Sequence, residues 1–206
     1  MKYTTNQEGF WAGEFGDDYI HRNKSDKQLA SSIAMYSKIL SRTDKVNSVI
    51  EFGSNIGINL DAIQTILPRV ELSAIEINAN AIKELEKKQK IKVYHQSILD
   101  FQPDYQRDFV FSRGVLIHIN PNYLNKVYEL MYKTSNRYIC VAEYYNPKPA
   151  FIEYRGEKDK LFKRDFAGEI MDIYKDVSLV DYGFIYHRDN NFPQDDICWF
   201  LLEKLR

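Results

Sequence analysis

The sequence predicts an α/β fold built on a doubly wound, mostly parallel sheet, and three observations carry that prediction. Short apolar runs rich in β-formers alternate with segments of helical spacing through most of the chain. A glycine turn from Gly53 to Gly57 joins the first such run to the helix-like segment after it, and Glu76 stands roughly twenty residues beyond, inside the second run. Two further strand-like runs, with no helix between them, close the chain.

With 206 residues, 44% hydrophobic and 28% charged, the chain supports one sizeable core and is short for two complete domains, so residues 1–206 are expected to form one. A net charge of −1 argues against a nucleic-acid partner and for a small-molecule one. No apolar run approaches the roughly 18 residues needed to span a bilayer, and residues 1–8 lack the apolar stretch of a signal peptide, so no membrane partner and a cytoplasmic location are expected. Cys140 and Cys198 each sit in an apolar run without the spacing of a zinc site, and read as buried hydrophobes with no metal. Nothing in the sequence specifies an oligomeric state.

Taken in order, residues 10–24 mix aromatics, two glycines and charges without a clear period, and read as an ordered loop or short helix within a lid over residues 1–28. Trp11 and Phe15 would anchor it while Tyr19 and Arg22 face a ligand; packing for stability alone is the other reading. Residues 25–40 carry Leu29, Ile33, Tyr36 and Leu40 at helical spacing behind a capping Ser25 or Asp26. The first strand covers residues 48–52, and its helix begins at Asn59. The second strand covers 70–78, a charged helix 80–89, and a third strand 91–96. The fourth strand covers 109–112, the next helix 122–134, and the fifth strand 138–143. Residues 147–165 show no period and read as an inserted loop on the ligand side, within an insertion spanning 146–165. Helical spacing resumes over 166–174, and the strand pair is 177–186 and 197–202.

The turn points to its ligand by two departures from a dinucleotide fingerprint. Gly53-Ser54-Asn55-Ile56-Gly57 has Gly-x-x-x-Gly spacing, and Glu51 puts a carboxylate at the strand end where a pyrophosphate would be repelled. A ligand bearing an ammonium and a sulfonium is attracted there, and S-adenosylmethionine carries both. Gly53, Ser54 and Gly57 would approach it, Glu76 would accept from its ribose hydroxyls with Ile77 beside it, and Arg113-Gly114 would border it after the fourth strand. His118 stands at the same sheet edge as candidate general base or as a structural histidine.

Glu-x-Gly-x-x-x-Gly after an apolar strand, Glu76 and the Gly114-Val-Leu-Ile-His-Ile119 segment resemble the class I S-adenosylmethionine-dependent methyltransferases. The resemblance implies a Rossmann-like, seven-stranded sheet whose last strand inserts antiparallel between the fifth and sixth, with Cys140 and Cys198 on adjacent strands and unbridged. Where that family commonly has an Asp for the adenine amino group this chain has Ser97, a weaker partner, followed by Ile98 for the ring face. A narrower resemblance lies in residues 10–23, 143–147, 154–156, 161–169 and 186–196, which are similar to the pseudaminic acid biosynthesis-associated methyltransferases. It implies a bacterial enzyme of surface-glycan assembly that methylates a nonulosonic acid or its activated or precursor form. Arg155, Lys163 and Arg164 would then hold an anionic acceptor, with Tyr144 and Tyr145 packing on it near the reacting atom. A general small-molecule O-methyltransferase and a non-catalytic nucleotide-sugar binding protein stand as alternatives; a nicotinamide-dependent dehydrogenase would need the three-glycine turn that is missing.

Overall fold

The computed structural model describes residues 3–22, 25–88 and 90–205, without the side chains of His21, Arg22 and Lys158. Its centre is a seven-stranded sheet of β1 (Ser48–Phe52), β2 (Glu71–Glu76), β3 (Ile91–His95), β4 (Arg107–Arg113), β5 (Ser135–Glu143), β8 (Val177–Ile185) and β9 (Ile197–Lys204). Their order across the sheet is β3-β2-β1-β4-β5-β9-β8. All neighbours pair in parallel up to β5, whereas β9 runs antiparallel to both β5 and β8. The sheet is therefore seven-stranded and mostly parallel with one reversed strand, the Rossmann-like arrangement expected. Cys140 and Cys198 lie on adjacent strands, unbridged.

Alternate residues of the central strands feed two cores because both sheet faces are covered. Val49, Leu72 and Phe109 pack with α3 (Asp26–Leu40), α4 (Ile58–Ile66) and α5 (Ala79–Glu86), while Ile50, Ile75 and Val110 pack with α6 (Leu124–Thr134) and α7 (Phe166–Ile173). Ser25 caps α3 by accepting from the Gln28 amide, as its position before the periodic run predicts. The strand order reverses at β1 and β4, and that is where the carboxyl edge of such a sheet opens a crevice. At the opposite edge the fully buried Arg107 donates to Asp104, Tyr105 and Tyr94, which explains why β4 begins before its apolar run.

One segment takes the helical of its two expected forms, and another differs from expectation. Residues 10–22 belong to a helix pair, α1 (Asn6–Ala12) and α2 (Glu14–Arg22), and Thr5-x-x-Glu8 forms a complete capping box at its start. The segment read as an aperiodic loop is a hairpin of β6 (Ala150–Tyr154) and β7 (Glu157–Lys163), turning on Arg155 and Gly156 with φ of 54° and 85°. Positive φ at both central residues is what the type I′ two-residue hairpin turn requires. The strands escaped the sequence pattern because Phe151, Ile152 and Glu153 are all exposed, so β6 shows no apolar alternation. Among the described residues no helix is long and apolar enough to cross a membrane.

Candidate active site

A cavity of about 160 Å³ opens at the carboxyl edge above β1, β2, β3 and β4, roofed by α1 and α2. Its floor is the turn after β1. Gly53 has φ of 76°, and a Cβ there would lie 2.7 Å from a Val115 methyl, so both the backbone and the floor require glycine. Gly57 takes φ of 75° to cap α4 and does not line the cavity; a Cβ on it would meet Leu85, so its part is the turn rather than ligand contact.

Two carboxylates sit in this floor. Glu51 is 1% exposed, and its Oε1 accepts from Asn59 Nδ2 at 2.6 Å while Oε2 has no partner among the described residues. Burial pushes its pKa up to about 8, against the opposing pull of Asn59 and of Arg113. Glu76 accepts from the amides of Asn55 at 2.7 Å and of Ile77 and Asn78 at 2.8 Å, which fix it at the end of β2; burial raises its pKa. Ser54, Asn55 and Trp11 also line the cavity, and their Oγ, Oδ1 and Nε1 atoms lack partners among the described residues. Buried polar atoms without partners are costly unless a ligand supplies them, and with Glu51 ionised two of these only accept, Trp11 Nε1 only donates and Ser54 Oγ does both. A ligand rich in donors, with an ammonium and hydroxyls, fits this set, and a pyrophosphate does not.

The remaining walls come from distant parts of the chain. Arg113 donates through Nε and Nη2 to Gln194 Oε1, whose amide donates in turn to the Ser31 carbonyl, so the loop after β8 fixes the guanidinium. Glu143 accepts from Ser112 Oγ and from the amides of Val115, Leu116 and Ile117, holding the segment that carries Gly114 and His118. Burial pushes the Glu143 pKa up to about 7, opposed by those amide bonds. His118 Nδ1 lies 2.5 Å from the Lys160 carbonyl, which can only accept, so Nδ1 carries the proton and Nε2 the lone pair. Burial pushes its pKa down to about 4 although the Lys160 bond opposes the shift. The ring lies against Trp11 and Tyr154, with centroids at 4.6 and 5.1 Å. Among the described residues no three His, Cys, Asp or Glu side chains gather as metal ligands.

Of the residues singled out from the sequence, Tyr19, Glu51, Gly53, Ser54, Glu76, Ile77, Ser97, Ile98, Arg113, Gly114 and His118 all line this cavity. The Arg22 side chain lies outside the described residues. Ser97 is already engaged, its hydroxyl donating to Glu8 and accepting from the Leu99 amide, which leaves it one lone pair toward a ligand donor. Tyr144, Tyr145, Arg155, Lys163 and Arg164 do not line the cavity. Arg164 is held by Glu169 at 2.7 Å, Arg155 is exposed at the hairpin turn, and Tyr145 is 40% exposed beside Phe200. Lys163 stands 5.1 Å over the Tyr144 ring, and burial raises the Tyr144 pKa, with Asp195 and Tyr19 adding to the shift. Sequence reasoning missed Glu8, Asn55, Asn59, Asn78 and Asn120; only the Thr5-x-x-Glu8 capping signature announced one of them.

No protein-family model and no curated protein matches this sequence. Solved structures do. The 1,6-didemethyltoxoflavin-N1-methyltransferase of Burkholderia thailandensis, solved with S-adenosylhomocysteine, superposes with a TM-score of 0.73 over 100% of this chain and 93% of its own, at 9% identity. The plantazolicin methyltransferase BpumL, also solved with S-adenosylhomocysteine, gives a TM-score of 0.65 at 15% identity, covering 97% of this chain and 94% of its own. The N-methyltransferase NodS of Bradyrhizobium japonicum gives 0.65 at 13% identity, covering 92% and 99%. At these identities the likeness concerns architecture: this chain has the fold of the S-adenosylmethionine-dependent class I methyltransferases.

Proposed function

We propose that the chain is an S-adenosylmethionine-dependent methyltransferase acting on a small anionic sugar, a nonulosonic acid or its activated or precursor form. The observation that carries the cofactor is the buried, unpartnered Oε2 of Glu51 in a cavity whose second carboxylate, Glu76, sits at the next strand end. Bound there, the cofactor supplies an electrophilic methyl group on sulfur. Glu51 and Asn59 would hold its ammonium, Glu76 its ribose hydroxyls, and Arg113 its carboxylate. Residues 1–28 act as the lid, since Trp11 and Tyr19 line the cavity from above.

The acceptor class rests on the sequence motifs and on Arg155 and Lys163 of the β6–β7 hairpin, whose residues 150–163 carry four basic and three acidic side chains. Gln7 and His118, both lining residues, bond the carbonyls of Asp159 and Lys160 on β7, so the hairpin is fastened to the cavity rim. Arg155 at the turn and Lys163 at the other end of β7 stand apart, and each would attract a carboxylate or phosphate separately, whereas Arg164 positions α7 through Glu169. A His118 pKa of about 4 makes the imidazole a weak base at neutral pH. That favours a nitrogen acceptor arriving as the neutral amine, for which alignment matters more than proton removal, and two structural neighbours are named as N-methyltransferases.

Incubating the protein with S-adenosylmethionine and candidate amino-bearing nonulosonic sugars, with mass spectrometry of the products, tests this reading. Methylated sugar is the expected result, and Arg155→Gln and Lys163→Gln are expected to lower its formation about tenfold with cofactor affinity unchanged. Turnover within about twofold of the parent places the acceptor elsewhere.

A further inference from the structure

The cavity's third carboxylate comes from outside the sheet. Glu51 lies in β1 and Glu76 ends β2, but β3 is followed by Gln96 and Ser97, and the nearest acidic residue in sequence, Asp100, is exposed. The place is taken by Glu8 of α1, which is 8% exposed, lines the cavity and accepts the Ser97 hydroxyl across 89 positions of sequence. Because the strand order is β3-β2-β1, the three carboxylates stand in a row along the edge. S-Adenosylmethionine presents its donors in a matching row: ammonium, ribose hydroxyls, then the exocyclic amine of adenine.

We propose that Glu8 is the residue that selects a 6-amino purine at the β3 end of the cavity, with Ser97 as its positioning residue. The inference rests on the methyltransferase reading above. Ile77, Ile98 and Ile119 line this end and provide apolar surface for a flat heterocycle. At the rim, Glu8 Oε2 is filled by the amides of Thr4 and Thr5 and by the Thr5 hydroxyl. Oε1 has Ser97 alone, which leaves it one acceptor position. A carboxylate only accepts, so it takes an amino group and repels the 6-oxo group of a hypoxanthine or guanine base. Ser97 thus acts through Glu8 instead of through its own contact with the base.

The test is calorimetric titration with S-adenosylhomocysteine and with S-inosylhomocysteine, which differ at the purine 6-position. The parent protein is expected to prefer the amino ligand by about tenfold or more, the usual scale for losing a charged acceptor's partner. Glu8→Gln keeps the capping box, because Gln also serves at that position, but its amide can donate to a 6-oxo group; the preference should collapse. Should that variant fail to fold, Ser97→Ala reads the same ratio, and a reduced preference supports the assignment. A parent protein that binds S-adenosylhomocysteine, with a preference that survives either substitution, overturns the role of Glu8 alone. A parent protein that binds neither ligand overturns the methyltransferase reading and this one together.

Discussion

Glu76 holds three backbone amides on two carboxylate oxygens, so replacing it disturbs the protein as well as the ligand. Alanine there would leave buried N–H groups unpaired, at about 1–3 kcal/mol each. Glutamine is the cleaner probe because it keeps one acceptor oxygen. Glu76→Gln is expected to weaken S-adenosylhomocysteine binding about tenfold by calorimetry, and unchanged affinity would remove Glu76 from the ribose site. Gly53 offers a sharper case, since its positive φ opposes any branched side chain and a Val115 methyl stands 2.7 Å from where the Cβ would go. Gly53→Val should cost on the order of 1–3 kcal/mol in backbone strain and abolish binding. A variant that still binds the ligand would show that the turn is not the floor of the site.

The helix pair α1–α2 is held to the body by single, specific contacts. Asn78 donates to Asp17 Oδ1 and to the Trp11 carbonyl while capping α5 with its own oxygen, so one side chain joins lid and sheet. Gly16 lets that junction close, for a Cβ there would stand 1.9 Å from the Trp11 carbonyl oxygen. Alanine is the better helix former, so Gly16→Ala isolates docking from helix propensity. It should lower affinity for S-adenosylhomocysteine severalfold while the melting temperature moves by less than about 4 °C, and a normal affinity would mean that the lid contributes nothing to the site. Elements of this kind mark where the sequence stopped being informative. The strands β1, β2, β4 and β5 declare themselves because burial on both faces leaves apolar runs, and Glu51, Gly53 and Glu76 follow from short spacings around them. The β6–β7 hairpin did not, since its β6 strand is exposed, and the fate of Arg164 depended on Glu169, a partner that no spacing rule singles out. Gln194 was invisible for the same reason, since it is defined by bonds to Arg113 and Ser31 made across the fold, and the capping signature that announced Glu8 gave no sign of its bond to Ser97.

At the scale of the whole molecule the buried acids set the response to pH. Glu51 and Glu143 are pushed by burial to about 8 and about 7, so the folded state holds protons that the unfolded chain releases near 4.5. Their contribution is full below the unfolded value and is lost as pH rises through those folded values, at about 1.4 kcal/mol per unit of difference. His118 runs the other way: burial holds it near 4, so its contribution is full above its unfolded value and is lost as pH falls from about 6.5. Thermal melts should therefore show stability falling between pH 6.5 and 8.5, and saturating S-adenosylhomocysteine should narrow the fall by pairing Glu51 with an ammonium. A melting temperature that stays level over that interval would mean that Glu51 and Glu143 are ionised throughout. The place of α1 and α2 at the start of the chain bears on how it assembles. Residues 5–17 leave the ribosome well before their partners Asn78, Ser97, His118 and Asp159. Made ahead of the sheet, they can close on Ser97 only after 89 further positions of chain and on Asp159 only after 152.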